Sequence, residues 1–219
     1  MNKVLSVWKP VNISSFDIIR KIKSFNRDLK IGHCGTLDPF AEGVVIVCLG
    51  TFTKKVDYFM SQGKRYLASI VFGEETDTLD LTGKVIKSKN NQSEEISLSN
   101  INTIVDNFIG TIPQIPPYFS AKKINNMKMY EFARKDIFIR SKPCTVHISN
   151  IKIIDFKNNN LIIDIECEKG TYIRSLARDI AYSLSTYGYL NSLKRTSIGE
   201  YSEKNSIKYE DLDKCMFMN

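Results

Sequence analysis

Between Gly32 and Gly43 the chain reads Gly-His-Cys-Gly-Thr-Leu-Asp-Pro-Phe-Ala-Glu-Gly, which gathers three glycines, a proline, one histidine and one aspartate into twelve residues. Such a segment forms a structured loop on a rigid support, a common location for catalytic groups. Asp38 precedes Pro39, and that proline keeps its backbone out of the helical region. On composition alone Asp38 equally suits the start of a turn, and His33 a satisfied core histidine. A second constellation is Lys169-Gly170-Thr171-Tyr172-Ile173-Arg174, a strand end that passes through glycine into a helix start. Arg174 and Arg178 then share a helical face at i, i+4, able to bind phosphate, to hold a carboxylate, or to form a solvated basic face. Tyr66 follows Lys64 and Arg65, an aromatic ring beside two cations, which suits the stacking of a nucleobase.

The elements that must carry these groups are legible from periodicity. Ser14-Ser15 precede Phe16, Ile18, Ile19, Ile22 and Phe25, so residues 15–26 are predicted as an amphipathic helix with a hydroxyl cap. Val44 to Leu49 is a short apolar run bounded by glycines, predicted as a strand buried on both faces. Tyr66 to Phe72 and Gly83 to Lys87 read as strands joined by an acidic, Thr-rich loop from Gly73 to Thr82. Leu98, Ile101, Val105 and Phe108 mark a helix stopped by Gly110. Three prolines follow at 113, 116 and 117, which predicts a long shaped loop across 111–118. Residues 113–142 read as one basic excursion, with a short helix around Met129 to Arg134. Strands are expected at Val146 to Ile154 and Leu161 to Cys167, turned by Asn158-Asn159-Asn160, where asparagine tolerates positive φ. A helix from Tyr172 to Ser185 and a strand from Arg195 to Tyr201 complete one mixed α/β domain without repeats.

The chain has 219 residues, 42% hydrophobic and 25% charged, which is ordinary globular composition and excludes wholesale disorder, collagen and coiled coil. Lys and Arg exceed Asp and Glu by 31 to 24, a net charge of +7 that suits a polyanionic partner. Five cysteines with no Cys-x-x-Cys pair, and only two histidines, argue against a zinc site or disulfide framework and fit a reducing cytoplasm. The longest apolar run is far short of the roughly 20 residues of a membrane span, and residues 1–9 carry no apolar leader, so neither export nor insertion is expected.

In this order along the chain, the segments resemble the TruB family of tRNA pseudouridine synthases. Lys9-Pro10 with Ser14-Ser15 resembles the family's opening motif, and Gly32 to Gly43 its Gly-His-x-Gly-x-Leu-Asp-Pro-x-Ala-x-Gly catalytic motif. Further likenesses are Lys64-Arg65-Tyr66, Phe72-Gly73 with Thr76-Asp77-Thr78 and Asp80, Gln114 to Lys123, Tyr130 to Arg134, and Lys169 to Arg174. The resemblance implies the pseudouridine synthase fold, an α/β (α+β) architecture with a mixed, largely antiparallel sheet, flanking helices and a protruding thumb at about 113–142. It implies isomerisation of uridine to pseudouridine at position 55 in the T-loop of tRNA, with no metal or other cofactor.

By motif position, Asp38 is the catalytic aspartate, Arg174 the arginine that keeps it ionised, and Tyr66 the tyrosine that stacks on the target uracil. Tyr172 lines the same pocket, His33 supports the opened RNA loop, and Lys64, Lys122, Lys123 and Arg134 belong to the RNA-binding set. Asn12 and Asn126 stand where the family usually has glycine, and the same turns are expected because asparagine tolerates positive φ. Only about 18 residues follow Tyr201, so no C-terminal PUA domain is expected, and the enzyme is expected to be a cytoplasmic monomer acting on the T-arm without an obligatory protein partner. Two other readings are a guide-RNA-dependent synthase working with protein partners, and a tRNA-binding or folding protein.

Overall fold

The computed structural model describes residues 2–89, 96–120, 123–124, 127–129, 132, 137 and 141–217. In chain order the elements are β1 (Lys3–Lys9), α1 (Ser15–Phe25), β2 (Ile31–His33), β3 (Glu42–Leu49), α2 (Val56–Ser61), β4 (Lys64–Phe72), β5 (Glu74–Thr76) and β6 (Val85–Ser88). Then come α3 (Leu98–Asp106), β7 (Gly110–Gln114), β8 (Lys123–Ile124), β9 (Met127–Lys128), β10 (Cys144–Lys157) and β11 (Asn160–Cys167). The chain continues through α4 (Ile173–Ser183), β12 (Gly188–Ile198), β13 (Tyr201–Ser202), β14 (Ile207–Lys208) and α5 (Leu212–Phe217). It divides into two compact units, Met1–Leu67 with Leu193–Asn219, and Ala68–Ser192. The backbone leaves the first unit inside β4 and returns to it inside β12.

The first unit is organised on β3. One edge of β3 pairs antiparallel with β1 from Lys3↔Leu49 to Lys9↔Gly43. It also pairs antiparallel with β2 at its end and parallel with β12 at its start. Every residue from Val44 to Leu49 is fully buried, as the apolar run predicts. Because side chains alternate along a strand, Val44, Ile46 and Cys48 share one face. They form a core cluster with Cys34, Phe59 and Ile198, against which Trp8, Val56 and Tyr201 pack. Helix α1 starts where expected: Ser14 and Asp17 form a reciprocal capping box. Ile18, Ile19 and Ile22 are buried, but Phe16 is 59% exposed and lies beneath the guanidinium of Arg20. At 100° per residue Phe16 and Ile18 point to opposite sides, so Phe16 does not belong to the buried stripe.

The second unit lays β4, β11, β10 and β7 side by side. The β10–β11 hairpin turns on Asn158 and Asn159, with φ of 51° and 58°, as the asparagine run predicts. Two expectations are corrected here. The acidic loop of 73–82 contains β5, which pairs antiparallel with β6. The expected loop at 111–114 is strand β7, antiparallel to β10, with Pro113 opposite Thr145. Proline is tolerated there because β7 ends the strand order, and its missing N–H costs no ladder bond on the open side. The helix expected around Met129 to Arg134 falls largely outside the described residues. Most strand pairings among the described residues are antiparallel, while β1–β14 and β3–β12 are parallel, so the mixed α/β architecture is as expected. Among the described residues no helix is long and apolar enough to cross a membrane.

Candidate active site

The loop that carries Asp38 begins and ends on the same strand. His33 pairs with Val47 of β3, the Cys34 N–H donates to the Ile46 carbonyl at 2.8 Å, and the chain re-enters β3 at Glu42. Between these anchors the backbone is gripped residue by residue. The buried Ser15 hydroxyl accepts the Leu37 N–H at 2.9 Å and donates to the Leu37 carbonyl at 3.2 Å. One side chain from the first turn of α1 thus holds both backbone groups of the residue before Asp38. The Asp38 carbonyl accepts the Ala41 N–H at 3.1 Å, closing a turn over Pro39 and Phe40. The Pro39 carbonyl accepts the Asn12 N–H at 2.7 Å, and Asn12 takes a φ of 66°, the turn expected of a glycine substitute. Asp38 itself is half-buried.

Two buried cations complete this mount, and neither touches it through a carboxylate. Lys9, with no exposed surface, directs its ammonium at the carbonyls of Ala41 (2.6 Å), Ile13 (2.8 Å), Pro10 (2.9 Å) and Pro39 (3.4 Å). An ammonium has three protons, so the longest of these contacts is the weakest. Burial pulls the Lys9 pKa down to about 8, with Arg195 pushing the same way and Asp38, Asp17 and Glu42 opposing. Arg195, 1% exposed, donates from Nε to the Val44 carbonyl at 2.7 Å. Its Nη1 and Nη2 reach the carbonyls of Thr36 and Gly35 at 3.3 and 3.2 Å. At Gly43, φ is 129° and a Cβ would stand 2.2 Å from the Arg195 carbonyl oxygen, so only glycine lets β12 approach.

Tyr66 and Lys64 belong to the same unit and are both buried. The Lys64 ammonium donates to the carbonyls of Met60 and Gln62 at 2.7 and 2.6 Å, where it closes the C-terminal end of α2.

In the second unit Tyr172 and Arg174 open α4. Arg174 is 5% exposed, so it is no part of a solvated basic face. Its Nη1 donates to the Thr78 carbonyl and its Nη2 to the Phe119 carbonyl, both at 2.8 Å, and Nη1 lies 3.6 Å from a carboxylate oxygen of Asp80. The other Asp80 oxygen accepts the Thr78 hydroxyl (2.8 Å), the Thr82 N–H (2.9 Å) and the Thr82 hydroxyl (2.6 Å). Arg178, one turn on, pairs with Asp179 at 2.8 Å.

Of the predicted site residues, Asp38, His33, Tyr66 and Lys64 therefore lie in the first unit, and Tyr172 and Arg174 in the second. Lys123 is in β8, with its backbone opposite Lys128 of β9. Lys122 and Arg134, like Asn126, lie outside the described residues. Lys9, Ser15 and Asp80 stood in recognised segments without a role. Arg195 was missed altogether, although it falls in strand phase with buried Leu193, an unusual place for a charge.

The profile of the TruB family pseudouridylate synthase N-terminal domain matches residues 20–173. The tRNA pseudouridine synthase B of Clostridium tetani is 41% identical over 213 residues, covering 97% of this chain and 73% of that protein. Its namesake in Fusobacterium nucleatum subsp. nucleatum is 42% identical over 202 residues, covering 92% of this chain and 69% of that protein. Among solved structures, a chain of a Cbf5-Nop10-Gar1 complex matches with a TM-score of 0.73 at 26% identity, over 95% of this chain and 53% of its own length. The present chain thus spans about half the length of that structural relative.

Proposed function

The chain belongs to the TruB family of pseudouridylate synthases, and from that premise we propose that it isomerises uridine to pseudouridine in tRNA, at position 55 of the T-loop. The observation that carries this reading is the Asp38 loop, whose backbone is held by Ser15, Lys9 and Arg195 on both sides of the aspartate. An enzyme that needs one carboxylate placed against one sugar carbon requires such a mount.

In the proposed cycle the target nucleotide is flipped out of the T-loop, at a cost of a few kcal/mol, approximately. Asp38 attacks or electrostatically stabilises the ribose C1′ as the bond to N1 breaks, as carboxylates do in glycoside hydrolysis. The uracil turns and C5 bonds to C1′, displacing Asp38 as a free carboxylate where it had attacked; the C5 proton leaves to a base, and N1 ends protonated. Nothing is oxidised or reduced, so the isomerisation calls for no redox cofactor. Tyr66 stacks on the uracil and takes part in the final proton transfer, and Tyr172 lines the pocket. Arg174 keeps the reacting carboxylate ionised. His33 supports the opened loop, while the thumb residues Lys122, Lys123 and Arg134 hold the RNA through its phosphates.

Both units serve one catalytic domain in this reading, with residues of about 113–142 as the thumb, and the enzyme works as a cytoplasmic monomer. A guide-dependent synthase acting within a protein complex is the second reading, since a chain of a Cbf5-Nop10-Gar1 complex is a structural relative. Identity of 41% against 26% favours the tRNA enzyme. The test is tritium release from C5-labelled uridine in a T-arm RNA. Release from position 55 supports the proposal, and none from any tRNA or T-arm overturns it.

A further inference from the structure

Helix α4 begins without a capping side chain of its own. Its N-cap residue is Tyr172, which makes no side-chain cap hydrogen bond, and the preceding Thr171 hydroxyl is turned back onto the Glu168 carbonyl at 3.0 Å. Helices ordinarily recruit Ser, Thr, Asp or Asn here to satisfy orphan N–H groups. In this chain the partner comes from 58 residues away. The Tyr172 N–H donates to Gln114 Oε1 at 2.8 Å, and Gln114 Nε2 donates to the Tyr172 carbonyl at 3.1 Å. That same carbonyl accepts the Leu176 N–H at 3.0 Å, the first helical bond of α4. The orientation of the amide is determined, because Tyr172 presents one donor and one acceptor and only one amide flip meets both.

Gln114 is itself immobile. It is 1% exposed, it closes β7, and its backbone stands opposite Cys144 of β10. The chain beyond it runs along the start of α4. The Ile115 carbonyl accepts the Ser175 hydroxyl at 2.8 Å, and the Phe119 carbonyl accepts Arg174 Nη2 at 2.8 Å. The amide clamp is the point in this seam that grips a backbone at both its polar groups. It therefore sets the direction in which Tyr172 and, two residues on, Arg174 leave the helix.

We infer that Gln114 is a positioning residue, whose two-point pairing with the Tyr172 backbone fixes the aim of the Tyr172 and Arg174 side chains. This rests on the proposal that those two residues act on the target uridine. Gln114 touches neither RNA nor the reacting atoms in this role. Its loss misaims groups that must be placed to within a fraction of an ångström, where an error of about 1 Å costs on the order of 100-fold in rate.

Two variants and two readouts test it. Gln114→Leu fills the space and removes both bonds. Its kcat on a T-arm RNA should fall by roughly 10- to 100-fold, with KM changed by less than about threefold. Gln114→Glu keeps the acceptor for the Tyr172 N–H but offers the Tyr172 carbonyl a donor only when protonated. The ratio of its kcat to that of the unaltered enzyme should therefore rise as the pH is lowered from about 8 to about 6, a signature a scaffold role lacks. Independently of activity, amide hydrogen exchange at the start of α4 should quicken in Gln114→Leu while β10 and β11 remain protected. Both variants keeping kcat within about twofold, or losing affinity instead of turnover, would overturn the inference. So would unchanged exchange at Tyr172. An unaltered chain that makes no pseudouridine sinks the proposed function instead, and the exchange measurement still decides the clamp.

Discussion

The guanidinium of Arg174 stands 3.6 Å from the carboxylate of Asp80, each side chain 6% exposed. Asp80 cannot swing away, because its second oxygen already holds three donors from Thr78 and Thr82. The buried arginine thus faces a carboxylate that is itself fixed, the condition under which a buried ion pair is tolerated.

Replacing Asp80 with Asn keeps the shape and the threonine acceptor but removes the negative charge that stands 3.6 Å from Arg174. Removing one partner of a buried pair typically costs about 3 to 5 kcal/mol, and Asn should fall at the low end because it still accepts hydrogen bonds. Chemical denaturation of Asp80→Asn should show that loss with an unchanged m-value, and kcat should fall more than RNA affinity. Wild-type stability in this variant would mean that Arg174 is held without the Asp80 charge.

Asp38→Asn preserves size and most hydrogen bonding while removing the charge. The loop should keep its conformation, since Ser15, Lys9 and Arg195 grip its backbone on both sides of Asp38. Turnover should vanish with RNA binding intact, as measured by tritium release beside filter binding. Activity surviving in Asp38→Asn would remove Asp38 from the chemistry.

Much of this arrangement is legible in the chain because its signals are local. Ser14 and the isoleucine spacing mark α1, the glycine-bounded run marks β3, and the density of glycine and proline marks the Asp38 loop. The parts that stay hidden depend on distant partners. Strand β1 escapes notice because Ser6 and Lys9 sit at buried positions among its apolar residues. Ser6 is satisfied by the Ser206 hydroxyl at 2.7 Å, 200 residues away, and Lys9 by carbonyls of the Asp38 loop. Strand β7 escapes because Pro113 argues against pairing, and only the sheet order shows that it lies at an edge. Arg195 reads as one more surface cation until the carbonyls of Gly35, Thr36 and Val44 come round to it.

Lys9 links the mount of Asp38 to pH. Its folded pKa of about 8 lies below the ordinary 10.5, chiefly through burial, so the unfolded chain binds more protons in between. Stability contributed at this position therefore rises with pH across that window, as the buried charge is discharged. The unfolding free energy of the native chain, less that of Lys9→Met, should grow as pH is raised from about 8 to about 10. A difference independent of pH would show that Lys9 titrates normally.

Arg195 should shift that same titration. It lowers the Lys9 pKa second only to burial, and it holds the opposite side of the loop. In Arg195→Met, Lys9 loses a repelling cation, so its pKa should rise and the rise in stability contributed at that position should begin at higher pH. The loop carbonyls of Gly35, Thr36 and Val44 lose their donor at the same time, and a displaced Asp38 should lower kcat by at least about tenfold. Arg195→Lys keeps the charge but not the planar fork that meets three carbonyls. It should leave the Lys9 titration near its native position while still lowering kcat, which separates the electrostatic part of Arg195 from its grip on the loop. Equal shifts of the Lys9 titration in the Lys and Met variants would assign the coupling to loop geometry rather than to charge.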